Sequence, residues 1–372
     1  MSRVGSFQEG AGPRGIVSQG AKAWLGRWSE GWNQFWFAPR HSHVLAGIRI
    51  ATGAMLFYTH CVIALDLASF LGSDAWITPA LARELHDGTY GMASGAWSYL
   101  WFLSSPAFLW WHQAFALLVT LLMTIGLGTR VVVPLAWWMQ LMFMHRLTGA
   151  LFGLDQVTTL LVTYLMLAPC GSRWSIDAWL RRRLDQQHET PAGQLLQEPR
   201  QGPRRRWLVS FFLPAAEPST ATTVATRLIQ IHLCVIYLFG GLWKGRGEMW
   251  WDGTAMWFAA ANHEYRSLDL TWLADYPLVF ATLAHATLFW EIFYPALVWP
   301  RLTRPLVLGM AVLVHAGIAI FLGMITFGVI MIVANSAFVE PSLLTPQTCS
   351  ADRRSPGPSA SSTSPRNARG RR

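Results

Sequence analysis

The chain has 372 residues, of which 52% are hydrophobic and only 13% charged, with 21 tryptophans and a formal net charge of +9. Soluble domains carry about 25% charged residues. The composition therefore excludes an ordinary soluble domain and predicts an all-α, polytopic integral membrane helix bundle. The positive balance does not indicate nucleic acid, because the arginines flank apolar runs, as membrane topology requires. Four scattered cysteines, Cys61, Cys170, Cys234 and Cys349, include no Cys-x-x-Cys. That argues against a thiol–disulfide enzyme and against a zinc site.

In chain order, residues 1–20 are rich in Gly, Ser and Arg and are expected to be disordered. They lack the apolar core of a signal peptide, so no cleavage is expected. Residues 21–37 place Trp24, Trp28, Trp32 and Phe35 on one helical face, opposite Lys22, Arg27 and Glu30. That pattern suits a helix lying on the membrane surface. Residues 1–43 thus form an N-terminal segment ahead of a bundle over 44–340.

Eight spans are expected, at about 44–65, 106–127, 131–144, 154–168, 227–243, 277–299, 305–321 and 324–338. A Trp- and Tyr-rich loop, 66–105, separates the first two. A polar stretch, 170–226, follows the fourth. It opens on SIDAWLRRRL, a short helix with Ile176, Trp179, Leu180 and Leu184 on one face, and continues as a Pro-, Gln- and Arg-rich loop. A second Trp-rich loop spans 245–276. Residues 341–372 are Ser-, Pro- and Arg-rich and are expected to form a disordered basic tail. No internal repeat is visible.

Charge fixes the orientation. With both termini cytoplasmic, segments 1–43, 170–226, 301–304 and the tail hold nearly all the arginines. The opposite face collects Asp66, Asp74, Glu84, Asp87, His145, Asp155, Glu248, Asp252 and Asp275. This is the positive-inside pattern, and it puts Asp155 and Lys244 at the same, outer face.

Ionisable groups within spans are expensive and normally face the bundle interior. They are Asp155, His232, His285, Glu291 and His315, with Arg146 and Lys244 near the outer rim and Tyr237 a buried polar group. Only Lys22 and Lys244 are lysines; every other basic residue is arginine. Lysine, unlike arginine, can become a neutral base when desolvated. Lys244 also fits a snorkelling interface anchor. His232 and His285 fit packing histidines bonded to backbone carbonyls. Glu291 fits a structural pair with Arg49, and Asp155 a pair with Arg146. No regular histidine spacing suggests haem, and no metal motif is present.

The stretch YLFGGLWKGRGEMWWDG, Tyr237 to Gly253, resembles a motif of the vitamin K-dependent gamma-glutamyl carboxylases and their bacterial relatives, the HTTM-domain proteins. A tyrosine, a small pair, a lysine and a Trp-x-x-Gly follow in that order. Arg227-x-x-Gln230, Glu291 followed by Pro295, and His315 before the last span are similar to the family pattern. GLDQ near Asp155 and WSID at Trp174 to Asp177 match it more loosely. The resemblance covers about residues 35–340. It implies an HTTM-like bundle in a bacterial inner membrane, and a carboxylase-like enzyme. It also implies a reduced quinone or other lipid-soluble ligand, with Lys244 as the base that deprotonates it. Asp155, Tyr237, Glu291 and His315 would line the pocket, and membrane lipids would be the other partners. The carboxylases continue into a large lumenal domain that handles protein substrate. This chain carries a basic tail there, and Trp243 precedes the lysine, so only the membrane pocket is carried over. The alternative is a non-catalytic transporter or partner-binding bundle in which Lys244 is an anchor.

Overall fold

The computed structural model describes residues 13–87, 95–189, 203–264 and 267–343. Among them the regular structure is all helical, with no strand and one isolated bridge, Arg40 to Ser219. The longer helices are α1 (Pro13–Phe37), α2 (His43–Leu65), α3 (Pro106–Ile125), α4 (Thr129–Arg146), α5 (Gly153–Leu165) and α6 (Ile176–Glu189). They continue with α7 (Pro203–Phe212), α8 (Thr220–Lys244), α9 (Pro277–Leu297), α10 (Arg304–Phe321) and α11 (Ile325–Asn335).

Five of these, α2, α3, α8, α9 and α10, are long and apolar enough to cross a membrane. That is the mark of an integral membrane protein. Apolar residues face outward as freely as inward: Leu278, Leu306 and Leu313 are mostly exposed while Leu45, Leu56, Leu161 and Ile229 are buried. Lipid removes the hydrophobic drive between helices, so close packing and buried polar contacts must hold them together.

The helices form two groups. In one, α2 packs on α3, α3 on α4 and α4 on α5; in the other, α8 packs on α9, α9 on α10 and α10 on α11. The short helices α5 and α11 join the groups, since α11 touches α5 and α2 and α5 touches α8. Gly153 of α5 lies so close to α11 that an added Cβ would sit 2.5 Å from the Phe327 ring.

The remaining three expected spans fall on α4, α5 and α11, which do not meet the same length and hydropathy limits. α5 has 13 residues and α11 has 11. At about 1.5 Å per residue they reach about 16–20 Å, short of a hydrocarbon core of about 30 Å. In both, the apolar run outlasts the helix. α5 gives way to turns over 166–172, and α11 to a 3₁₀ turn, Ser336–Phe338. α4 has the length but carries Arg130, Gln140, His145 and Arg146.

Other expectations need correction. The first helix begins at Pro13, so residues 13–20 are ordered as helix. Residues 203–212, expected as loop, form α7, and α8 begins at Thr220, ahead of its apolar run. The expected short helix at SIDAWLRRRL does form, as α6, and it buries Asp177 and Ala178. The rest of the expected N-terminal disorder, part of the polar loop and the tail lie outside the described residues.

Asp177 shows why the first turn of α6 is buried. Its carboxylate accepts from the backbone N–H groups of Gly128 and Thr129, at 2.8 and 2.9 Å, and from the Thr129 hydroxyl at 2.8 Å. It therefore caps the start of α4 from another helix, satisfying donors that α4 itself leaves open. Beside it, Arg49 of α2 donates to the carbonyls of Trp174 at 2.6 Å and Cys170 at 3.4 Å. Gly126 ends α3 with φ +74°, and a Cβ there would meet the Arg49 guanidinium at 2.2 Å. Only glycine fits both the backbone angle and the space.

Candidate functional site

α8 presents one polar face inward. Arg227, Gln230, Tyr237, Gly241 and Lys244 recur at steps of three, four or seven, the spacing of a helix stripe. Buried polar groups must find partners, and each side chain of this stripe does.

Lys244 is the last residue of α8. Its ammonium donates to both carboxylate oxygens of Glu291 on α9, at 2.8 and 2.6 Å. The Lys244 side chain is 30% exposed and that of Glu291 11%. The Trp250 ring lies 5.6 Å from the ammonium, a further stabilising contact for a cation. The expected Glu291–Arg49 pair does not form, because Arg49 is held by the carbonyls described above.

A glycine lets the pair close. Gly241 sits where α8 meets α9, and a Cβ there would come 2.9 Å from the Ile292 backbone nitrogen and 3.0 Å from the Glu291 Cβ. Glycine alone allows that approach. Gly240 is less constrained, with the Glu291 carboxylate 3.5 Å from an added Cβ. Pro295 lies inside α9, and it lacks the N–H that would bond the Glu291 carbonyl one turn back.

The Trp-x-x-Gly turn seats the outer loop against α9. Asp252 accepts from the Thr254 amide and hydroxyl at 2.8 and 2.7 Å. Those two bonds hold its carboxyl below the usual carboxylate range. Gly253, at φ +84°, presses on Ala281 of α9, where a Cβ would stand 2.5 Å away. His285 donates from Nε2 to the Trp251 carbonyl at 2.9 Å, the packing role expected of it.

Deeper in, Tyr237 joins His315 of α10 and Asn335 of α11. The Asn335 amide nitrogen donates to the Met331 carbonyl at 2.8 Å and to the Tyr237 oxygen at 2.7 Å. The Tyr294 hydroxyl donates to the Asn335 carbonyl oxygen at 2.6 Å. Because Met331 offers only an acceptor, the amide orientation is fixed. The Tyr237 hydroxyl then keeps its own proton for His315 Nε2, 2.7 Å away. His315 is thereby set as a neutral imidazole protonated at Nδ1, and that buried Nδ1 has no partner among the described residues. Trp290 packs against both Tyr237 and His315. Trp290, next to Glu291 in the chain, sets the Tyr237–His315 pair and the Lys244–Glu291 pair along the same α8–α9 contact.

Four sequence candidates, Lys244, Glu291, Tyr237 and His315, are thus brought together. Asp155 is not among them. Its carboxylate accepts from the Phe152 amide at 3.1 Å and closes its own helix start. The expected Asp155–Arg146 pair is absent too, because Arg146 donates to the carbonyls of Ile77 at 2.8 Å and Gly72 at 3.2 Å. His232 bonds Tyr164 at 2.9 Å, away from the lysine. Asn335, Tyr294 and Trp290 were not singled out by sequence. They are uncharged within apolar runs, and only the amide of Asn335 offered a signal.

Two clefts open on the other helix group. One, of about 330 Å³, lies between 67–74 and Ser104 to Trp110; the other, of about 180 Å³, lies beside Trp76, Ile77 and Arg146. Neither touches Lys244. Among the described residues no cluster of His, Cys, Asp and Glu suits a metal ion. The chain matches no family model, no curated protein and no solved structure.

Proposed function

We propose that the chain is a membrane enzyme that takes a proton from the hydroxyl of a lipid-soluble, quinol-like ligand at the Lys244–Glu291 pair. The reading includes eight crossings of a bacterial inner membrane with both termini cytoplasmic, the three shorter helices spanning with the turns that extend them. The observation that carries it is the pair itself, a lysine bound to both oxygens of a carboxylate between two apolar helices.

Away from water the ion pair loses hydration, so the form with both partners neutral competes with it. When the ammonium passes a proton to Glu291, Lys244 becomes a free amine. The amine then takes the proton of a ligand hydroxyl within hydrogen-bond reach of about 2.6–3.2 Å. The products are a protonated Glu291, a Lys244 ammonium and a ligand oxyanion beside that ammonium. Charge develops where a fixed cation already stands. The exposed part of Lys244 is the approach for a ligand arriving from the lipid side. The resemblance of Tyr237 to Gly253 to the carboxylase motif supports the choice of ligand class, by analogy.

The test is binding of a reduced naphthoquinol to the full chain in detergent, read by the absorbance of its anion at neutral pH. Wild type is expected to bind the anion. Lys244→Arg keeps a cation and an ion pair but cannot release its proton, and is expected to bind without forming the anion. An equal anion band in Lys244→Arg, or no binding by wild type, would sink the reading. The pair would then be a staple between α8 and α9 in a non-catalytic bundle.

A further inference from the structure

At the end of α8 away from Lys244, arginines gather around Trp299. The Arg227 guanidinium lies 4.2 Å over the Phe35 ring and 5.6 Å from the Trp299 ring. It donates to the Phe35 carbonyl at 3.1 Å and to Gln230 at 2.8 Å. Arg304 opens α10 and donates to the carbonyls of Val298 and Trp299, at 3.2 and 2.7 Å. Arg40, in the link from α1 to α2, is held at the start of α8 by a backbone bridge to Ser219, at 3.3 and 3.0 Å. No hydrogen bond of its guanidinium is found among the described residues. Among the described residues one carboxylate faces the group: Glu340, 3.5 Å from Arg304, 3.7 Å from the largely exposed Arg301, and opposing the loss of charge at Arg40.

Positive charge is therefore in excess, and it is partly desolvated. Burial first, and then the Arg304 charge, pull the Arg40 guanidinium below its ordinary pKa. Like charges so arranged repel, and an anion between them would turn repulsion into attraction. The positive end of the α10 dipole adds to the same field. Planar guanidiniums suit phosphate oxygens. The surroundings identify the carrier. Phe35, Trp299 and Phe338 form an aromatic chain with ring centres 5.6 and 5.4 Å apart, at the ends of apolar helices where lipid headgroups lie. A free phosphate needs no such apolar frame.

We propose that Arg40, Arg227 and Arg304 form a binding site for a phosphate group carried by the headgroup of an anionic phospholipid.

The experiment is native mass spectrometry of the full chain in mild detergent, titrated with phosphatidylglycerol or phosphatidylcholine. Phosphatidylglycerol is expected to bind more tightly. Arg40→Gln, which loses no hydrogen bond, is expected to weaken it about fivefold, the value of one surface cation. Arg40→Lys should keep most of the binding, and Arg301→Gln, at the exposed rim, all of it. Equal affinity for the two lipids, or an unchanged Arg40→Gln, would overturn the site. Displacement of the lipid by millimolar inorganic phosphate would overturn the lipid assignment. If Arg40→Gln fails to fold, the wild-type comparison of the two lipids decides.

Discussion

Lys244 and Arg146 each close a helix, where a cation is favoured by the carbonyl end of the dipole. Their surroundings then diverge. Arg146 is fully buried and rests on two backbone carbonyls, with no carboxylate bonded to it among the described residues. Lys244 keeps partial exposure and meets both oxygens of Glu291. A carbonyl can only accept a hydrogen bond, so Arg146 is locked in one state and serves to hold the 72–77 turn. A carboxylate can also accept a proton, which is what the proposed function asks of Glu291. The difference separates a cation bound by carbonyls from one bound by a carboxylate.

The widest test of that contrast is Arg146→Met. It strands two part-buried carbonyls, each costing up to about 1–3 kcal/mol. A loss of about 2–5 kcal/mol in denaturant unfolding is expected, with quinol binding at Lys244 intact in the folded fraction. A loss below about 1 kcal/mol would show that the carbonyls find other donors.

Gly241→Ala comes next. Its Cβ must push α8 from α9, an overpacking expected to cost about 1–3 kcal/mol and to part the ion pair. Gly240→Ala, with ordinary contact distances, should be near neutral. Equal thermal midpoints for the two variants would contradict the helix contact described.

Tyr237→Phe removes the hydroxyl between Asn335 and His315. A loss of about 1–2 kcal/mol is expected, and His315 Nε2 should shift in nitrogen NMR as its donor disappears. An unmoved resonance would refute the tautomer assigned to His315.

The smallest effect concerns the outer turn. Asp252 is held below its ordinary pKa, so its bonds to Thr254 stabilise the turn above the unfolded value of about 3.9 and are lost as pH falls through the folded one. Hydrogen exchange in 250–254 should stay constant from pH 7 to about pH 5 after correction for intrinsic rates, and rise below about pH 4. Asp252→Asn should abolish that rise.

Much of this was legible in the sequence. Intramembrane charge is costly, so Glu291 and His315 stood out, and the run from Tyr237 to Gly253 marked Lys244. Partners were harder to read. Glu291 was matched with Arg49 and Asp155 with Arg146 because opposite charges attract. The sequence does not reveal that bent turns at 72–77 and 170–174 turn their carbonyls inward and take both arginines. Where apolar residues continue into a turn, as at Ala337 and Phe338, hydropathy does not mark where the α-helix ends. Asn335, which fixes the direction of the Tyr237–His315 bond, carries no charge and sits at the close of an apolar run.

The central claim is that Glu291 ends the reaction protonated. Infrared difference spectroscopy on the full chain, before and after reduced naphthoquinol is added, measures this directly. The account predicts a new carboxylic-acid carbonyl band in wild type that is missing from Glu291→Gln and from Lys244→Arg. No new band in wild type, or a band that survives in Glu291→Gln, would contradict it.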